Sequence, residues 1–244
     1  MKILLLDIET APNLAYVWGL WKENIPTARI VNNGYVLCWA AKWHKKSQVQ
    51  WSSIHTERPR RMLRRIHTML NQADVVVHYN GKSFDIPTLN KEFITHGFKP
   101  PAPYKQVDLL SAVRSQFRFP SNKLDYVLQT LKLGQKVRHT GFEMWVQCMA
   151  GDKAAWDLMK EYNIGDVHGL ERLYEKMLPW IPGHPSHGAH DETVVCPQCG
   201  GHHYTRHGYR VLRLYKYPRY QCNECGHWFR DTRTVTQKKL QRFV

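Results

Sequence analysis

Apolar and polar positions follow two different periods along the chain. Short apolar runs, typical of strands, end at Ile8, Trp43 and Trp51, and a fourth covers 75–78. Apolar residues at helical spacing occupy longer stretches at 56–72, 83–98, 107–117, 124–133 and 152–178, the last as one or two helices. Because strands come first and helices interleave later, the pattern predicts an α/β fold in which a mixed sheet is flanked by helices.

A break in this pattern separates a second, smaller unit. Residues 179–193 are rich in proline, glycine and histidine and have almost no apolar periodicity. We therefore predict a first domain at 1–180, a linker at 181–193 and a second domain at 194–244. The chain is 43% hydrophobic, which is enough apolar material for one substantial core.

The charge of the chain indicates the kind of partner. A formal net charge of +15 favours a polyanion, because lysine and arginine contacts to phosphates release counterions. Nucleic acid is therefore the expected partner. The N-terminal apolar run is interrupted by Asp7 and Glu9, so it is too short for a signal peptide or a membrane span. We expect a cytoplasmic protein without a membrane partner.

The first strand carries two acids at its end. Asp7 and Glu9 are two residues apart, so their side chains point to the same face of a strand. Apposed carboxylates repel each other unless a cation neutralises them, and hard divalent cations prefer oxygen ligands. One interpretation is therefore a metal site. The other is that the strand ends at Asp7 and that both acids are solvated.

Two further acidic motifs follow in order along the chain. After DIET at 7–10 come NGKSFD, which ends at Asp85, and YNIGD, in which Tyr162 lies four residues before Asp166. This arrangement resembles the DEDD exonuclease superfamily, in the branch that has a tyrosine at this position. The other branch has a histidine five residues before the last aspartate, where this chain has Glu161. The resemblance covers residues 1–180.

The resemblance implies a ribonuclease H-like fold and a metal-dependent 3′-to-5′ exonuclease that uses two Mg²⁺ or Mn²⁺ ions. It implies that Asp7 bridges both ions, that Glu9 and Asp166 complete the site on the nucleophile side, and that Asp85 serves the second ion. Tyr162 would orient the attacking water, since a phenol with a pKa of about 10 is not an ionised base at neutral pH. The alternative for Tyr162 is packing in the core.

The same resemblance suggests where substrate binds. It implies contacts from Thr10, Asn80 and Phe84 to a nucleic acid with a 3′ end, with single-stranded or 3′-ended DNA as the expected substrate. By analogy, a small stand-alone nuclease of this build suits a bacterium or a phage-infected cell.

Three other residues near these motifs have two interpretations each. Asp108 is either a fifth acid of the site or the N-cap of the helix that follows it, and we favour the cap. Trp18 and Trp21 either stack on a terminal nucleotide or are buried, and we favour burial.

The C-terminal unit contains a cysteine pattern typical of a structural zinc site. Two C-x-x-C pairs are each followed by a glycine that allows a tight turn; their cysteines are Cys196, Cys199, Cys222 and Cys225. Four thiolates saturate a tetrahedral Zn²⁺, so this metal should hold the fold. The alternative is two disulfides. Between the two pairs, basic and aromatic residues alternate as in a strand, and the unit resembles the small β zinc ribbons of transposases and transcription proteins. We expect its basic and aromatic residues to contact nucleic acid. The alternative is that the ribbon docks on the first domain or on a partner protein.

The functional alternatives are a structure-selective endonuclease of the same fold and a non-catalytic protein that binds or recruits nucleic acid. The second is weakened by the complete motif set, because a decayed site would be expected to have lost at least one of its acids.

Overall fold

The computed structural model describes residues 1–190 and 194–235. They divide into two compact units, Met1–Leu173 and Tyr174–Val244. Residues 191–193 of the predicted linker and 236–244 of the predicted second domain lie outside the described residues. Within the described part of the chain, no helix has the length and apolar character needed to cross a membrane.

The first unit is built on a five-stranded mixed sheet. The strands of this unit are β1 Ile3–Thr10, β2 Leu14–Ala15, β3 Ile30–Asn32, β4 Val36–Trp43, β5 Val49–Ser53, β6 Val75–His78 and β7 Lys105–Asp108. The sheet has the order β5-β4-β1-β6-β7, and β2 pairs separately with β3. β1 is antiparallel to β4 and parallel to β6. β1 therefore lies at the centre of the sheet.

Helices cover both faces of this sheet. They are α1 Pro59–Gln72, α2 Asp85–Thr95, α3 Leu109–Gln116, α4 Leu124–Thr130, α5 Phe142–Met149 and α6 Lys153–Met177. The predicted mixed sheet flanked by helices is confirmed. Four of these strands and helices were not predicted: the short strands β2 and β3, the helix α5, and the short strand β7, which replaces the start of the helix predicted at 107–117. The stretch predicted as one or two helices at 152–178 is the single helix α6.

The alternation of side chains along β1 divides the core into two layers. Leu4, Leu6 and Ile8 pack with buried residues of α1 and α2 on one face. A second buried cluster contains Leu37 of β4 together with residues of α5 and α6, among them Tyr162. Residues at the odd positions of β1 therefore point away from the α1 and α2 layer. Asp7 and Glu9 belong to this second set.

The second unit contains a small antiparallel sheet, as predicted. Its strands are β8 Tyr204–Val211, β9 Lys216–Cys222 and β10 Trp228–Arg230, in the order β10-β9-β8. Tyr204, Tyr220 and Phe229 pack against one another, with ring centroids 5.4–5.6 Å apart. Three aromatic rings form only a small core, and units of this size commonly need a bound metal or disulfides to be stable.

The carboxylate of Asp108 stabilises the loop that leads into α2. It is the N-cap of α3, as favoured from the sequence, and its Oδ1 accepts hydrogen bonds from the amides of Leu110 and Ser111. The same carboxylate also accepts from the amides of Asn80 and Lys82, at 3.0 and 3.3 Å. Asn80 has a φ of 67°, so this turn has a backbone conformation that needs such support. One side chain thereby fixes both α3 and the approach to Asp85.

We expect Asp108→Ala to lower the free energy of unfolding by about 2 kcal/mol, because it removes a helix cap and leaves loop amides without their acceptor. Asp108→Asn is the matched control, since its remaining oxygen can keep the Oδ1 contacts and should retain most of the stability. Urea unfolding followed by tryptophan fluorescence measures both. Equal stability of Asp108→Ala and the wild type would contradict the assignment.

Candidate active site

The central strand and the long helix bring three acids together. β1 continues to Thr10, so the alternative in which the strand ends at Asp7 is wrong. Oxygen atoms of Asp7, Glu9 and Asp166 all lie within 4.8 Å of one another. Asp166 is one helical turn beyond Tyr162 on α6, and both side chains face this cluster. Residues far apart in sequence thus form one acidic group, which we call the carboxylate cluster.

Asp85 joins this cluster from the first turn of α2. Its Oδ1 accepts a hydrogen bond from the amide of Ile8 at 3.1 Å, which places the carboxylate beside β1 between the positions of Asp7 and Glu9. Its negative charge contributes to the raised pKa of both Asp7 and Glu9. The four predicted acids are therefore neighbours, although Asp85 is outside the group whose oxygens lie within 4.8 Å.

Burial and mutual repulsion make these acids hard to ionise without a cation. The pKa of Asp7 is raised well above its usual value, first by burial and then by the charges of Glu9, Asp166 and Asp85. Burial, followed by the charge of Asp166, raises the pKa of Glu9 to about 8. Burial likewise raises the pKa of Asp85 to about 7. A positive charge at the cluster would lower all of these values.

Tyr162 packs in the core and also faces the carboxylate cluster, so its position is compatible with both interpretations from the sequence. Its ring is buried and packs edge-on against His139 and Trp145, with centroids 4.9 and 6.0 Å away. Its hydroxyl faces the carboxylate cluster. Burial, with a further contribution from Asp166, raises the pKa of Tyr162 to about 12, so the phenol is neutral at physiological pH. A neutral hydroxyl can donate or accept a hydrogen bond, but it is a poor base.

Two residues at the cluster were missed in the sequence. Asn163 is fully buried and donates a hydrogen bond from Nδ2 to Asp7 Oδ2 at 2.6 Å. It lies inside the YNIGD motif next to Tyr162, so its position in the sequence could have identified it as a residue of the site. Lys136 donates from Nζ to Asp166 Oδ2 at 2.5 Å and to the Tyr162 hydroxyl at 3.0 Å. Its segment has no periodicity or motif, and nothing in the sequence connects it with α6.

The donor set of the cluster suits a hard divalent cation. Three carboxylates converge, and among the described residues Asp166 Oδ1 is a buried oxygen without a hydrogen-bond partner. Such an oxygen is costly to bury unless something binds it. Mg²⁺ and Mn²⁺ prefer this kind of ligand. Asp7, Glu9 and Asp166 can therefore hold a cation, with Asp85 beside them.

The residues predicted to contact substrate lie next to the acids along the chain. Thr10 is the last residue of β1, and Phe84 directly precedes Asp85 and is 43% exposed. Asn80 lies in the turn fastened by Asp108. Their placement is compatible with the predicted role, which stays a prediction.

The expected burial of Trp18 and Trp21 is wrong. They are 90% and 88% exposed in the segment between β2 and β3. This segment is organised by its own polar contacts instead of a layer of the core. Glu23 accepts hydrogen bonds from the amides of Trp18 and Gly19 at 3.0 and 2.8 Å and pairs with Arg29. Hydrophobicity alone did not show that the loop shape leaves both indoles on the surface.

The four cysteines of the second unit form a compact group. The Sγ atoms of Cys196 and Cys225 are 3.7 Å apart, and those of Cys199 and Cys222 are 3.6 Å apart. Disulfide sulfurs are about 2.05 Å apart, so the disulfide alternative is wrong. A tetrahedron with Zn–S bonds of about 2.3 Å has edges of about 3.8 Å. The observed spacings therefore fit one tetrahedral Zn²⁺.

Comparisons with known proteins agree with this architecture. Residues 4–178 match a family model described as the RNase_H superfamily. No curated protein matches the chain. The chain is similar in structure to a family B DNA polymerase from the hyperthermophilic archaeon Pyrobaculum calidifontis, with a TM-score of 0.55 and 20% identity over 73% of this chain and 24% of the polymerase. It is also similar to RNase D of Trypanosoma brucei, with a TM-score of 0.43 and 17% identity over 74% of this chain and 57% of that chain.

The chain thus spans less than two thirds of either protein's length, and the likeness to the polymerase shows the fold alone. Together with the family match, it confirms the predicted ribonuclease H-like fold. The match runs from β1 to the end of α6 and so includes the whole carboxylate cluster. The chain belongs to the RNase_H superfamily.

Proposed function

We propose that this chain is a metal-dependent 3′-to-5′ exonuclease that hydrolyses phosphodiester bonds of DNA. The observation that carries this proposal is the convergence of Asp7, Glu9 and Asp166 within 4.8 Å, with Tyr162 one helical turn from Asp166. The order of the three motifs and the membership of the RNase_H superfamily support it.

The chemistry needs groups that this cluster supplies. Phosphodiester hydrolysis requires an activated water and compensation of charge on the attacking and leaving oxygens, and two Mg²⁺ or Mn²⁺ ions bound by carboxylates provide both. Asp7, Glu9, Asp85 and Asp166 would hold them. The neutral hydroxyl of Tyr162 would position the water by a hydrogen bond, and the amide of Asn163 keeps the Asp7 carboxylate in place.

The features outside the cluster favour a single-stranded substrate. Single strands bind to proteins through base stacking on aromatic side chains and through phosphate contacts. Trp18 and Trp21 are the most exposed large apolar side chains of the described residues. The base of their loop is joined to the end of β1, where the Ala11 amide donates to the Tyr35 carbonyl at 2.8 Å. Together with the net charge of +15, this arrangement suits a DNA strand that enters with its 3′ end.

We further propose that the cysteines hold one structural Zn²⁺ and that the unit is a zinc ribbon that contacts nucleic acid. Exposed cations stack on aromatic rings along its sheet: Lys216 Nζ lies 4.0 Å from the centroid of Tyr209, and the Arg230 guanidinium lies 4.1 Å from that of Tyr217. Such pairs offer a phosphate contact and a stacking surface together.

Activity is tested with 5′-labelled single-stranded and duplex DNA and RNA in Mg²⁺ or Mn²⁺. We expect the labelled single-stranded DNA to shorten progressively from its 3′ end and EDTA to abolish the reaction.

Asp7→Ala and Asp166→Ala should lower kcat by about 10³-fold, because each removes several kcal/mol of charge stabilisation. Tyr162→Phe should lower kcat by about 10²-fold with little change in KM, as expected for a group that positions the water.

Asp157→Ala is the matched control for Asp166→Ala, because Asp157 is an exposed acid on the same helix. Internal cuts would favour the endonuclease. Binding of DNA without cleavage in either metal would favour the non-catalytic binding protein.

The raised pKa values predict how stability depends on pH without added metal. The pKa of Glu9 is 4.5 as a free side chain and about 8 in the folded protein, so folding favours its protonated form. The stabilisation that protonated Glu9 gives to the folded protein is complete below about pH 4.5 and is lost as the pH rises through about 8. We expect the unfolding free energy to fall by up to about 1 kcal/mol per pH unit in this range, and Mn²⁺ to reduce the fall. Glu9→Gln should flatten the profile; an unchanged slope would count against the buried acid as its cause.

Removal of one thiolate tests the zinc site. Cys222→Ser should lose the metal and the fold of the second unit, because a unit with so small a core depends on its metal. Metal analysis should give one Zn²⁺ per wild-type chain and about none for Cys222→Ser. Cys148→Ser is the control, since this cysteine is buried in α5 and outside the cluster. Purified wild-type protein without zinc would refute the proposal.

A further inference from the structure

A lysine is inserted among the acids of the carboxylate cluster. Nζ of Lys136 lies 2.5 Å from Asp166 Oδ2, 3.0 Å from the Tyr162 hydroxyl and 4.9 Å from the centroid of its ring. The side chain of Asp166 is 3% exposed and that of Lys136 is 27% exposed. The lysine therefore reaches from the surface into the cluster, and it supplies the positive charge nearest to Asp166.

The charge of Lys136 acts on the whole cluster. It lowers the pKa of Asp7, Glu9 and Asp166, and so opposes the effects of burial and mutual repulsion. For Lys136 itself, burial alone would lower the pKa, but Asp166 and Tyr162 raise it above its usual value. The lysine thus makes the same kind of contribution that a bound cation would make.

A divalent cation and the ammonium of Lys136 would repel each other if both were bound to the carboxylate of Asp166. A cation bound to Asp166 would lie within a few ångströms of Nζ, in a buried setting where like charges repel strongly. Lys136 can move away from Asp166 by side-chain rotation alone, because its ammonium sits at the end of a flexible four-carbon side chain. Its backbone stays fixed meanwhile, since its amide donates to Asp125 Oδ1 at 2.8 Å.

We propose that Lys136 is an internal counter-cation that competes with the divalent metal for Asp166 and Tyr162. In the metal-free protein its charge partly compensates the charges of the acids. When metal binds, it releases the carboxylate and the hydroxyl. This inference rests on the proposed function, because it assumes that the cluster binds a divalent cation.

The competition predicts that removal of the lysine charge tightens metal binding. The coupling between two binding events on one protein typically changes an affinity 5–150-fold. We expect Lys136→Met to bind Mn²⁺ about tenfold more tightly than the wild type, although it loses an ion pair of the folded protein. A lysine with a purely structural role would leave the affinity unchanged, or its loss would weaken metal binding by loosening Asp166.

Mn²⁺ binding is measured by isothermal titration calorimetry on the full zinc-loaded chain without nucleic acid. Lys136→Gln is the second neutral variant, since it keeps a hydrogen-bond donor and guards against a folding defect in Lys136→Met. Lys132→Met removes the same charge from an exposed position of the same segment. We expect both neutral variants at position 136 to bind about tenfold more tightly, and Lys132→Met and Lys136→Arg to bind no more tightly than the wild type.

A second readout is the melting temperature. Lys136→Met should melt below the wild type without added Mn²⁺, and Mn²⁺ should raise its melting temperature by more than it raises that of the wild type. Unchanged or weaker Mn²⁺ affinity in both neutral variants would overturn the proposal. Failure of the proposed function would look different: the wild type and Asp7→Ala would then bind Mn²⁺ equally poorly.

Discussion

Repulsion between buried carboxylates is the interaction on which the arrangement of the first unit depends. Asp7, Glu9 and Asp166 are held within 4.8 Å of one another, with Asp166 buried and Asp7 and Glu9 half-buried, and the buried Asp85 lies beside them. In isolation such a group would separate or take up protons. The fold prevents separation, because the acids are carried by the central strand and by helices that are fixed through large apolar contacts. The remaining repulsion is what makes the cluster attract a cation.

The same apolar contacts decide which side chains meet. Leu4, Leu6 and Ile8 alternate with the acids on β1, so the packing of one face against α1 and α2 turns Asp7 and Glu9 to the other face. On α6, residues 162 and 166 are one turn apart, and the packing of the Tyr162 ring aims the Asp166 carboxylate at β1. Asn163 adds a direct hydrogen bond between the two elements. Core packing and site geometry therefore share one set of constraints.

These constraints also explain what could be predicted from the sequence. β1, β4 and α6 are long or strongly apolar, so their periodicity could be recognised in the sequence. Asp7 and Glu9 could therefore be placed on a strand, and Asp166 on a helix. β7 is four residues long with one buried side chain, and α5 buries only Met144 and Cys148, so neither has a clear pattern. Lys136 lies in an irregular segment, and its contact with Asp166 exists only through the tertiary fold. The exposure of Trp18 depends on a loop shape set by Glu23, which hydrophobicity does not indicate.

The four cysteines of the second unit and the carboxylate cluster differ in whether a metal bound to them would keep an open coordination position. The four thiolates have spacings that close a tetrahedron, so a zinc ion there would have no position for a water or a substrate. The carboxylate cluster has three converging ligands, one oxygen of Asp166 without a hydrogen-bond partner among the described residues, and a partly exposed lysine on the other oxygen of Asp166. A closed site stabilises a small fold, whereas catalysis requires ligands that can be exchanged. The proposed hydrolysis is therefore assigned to the carboxylates, and the proposed role of Lys136 is to offset part of their charge until a metal binds.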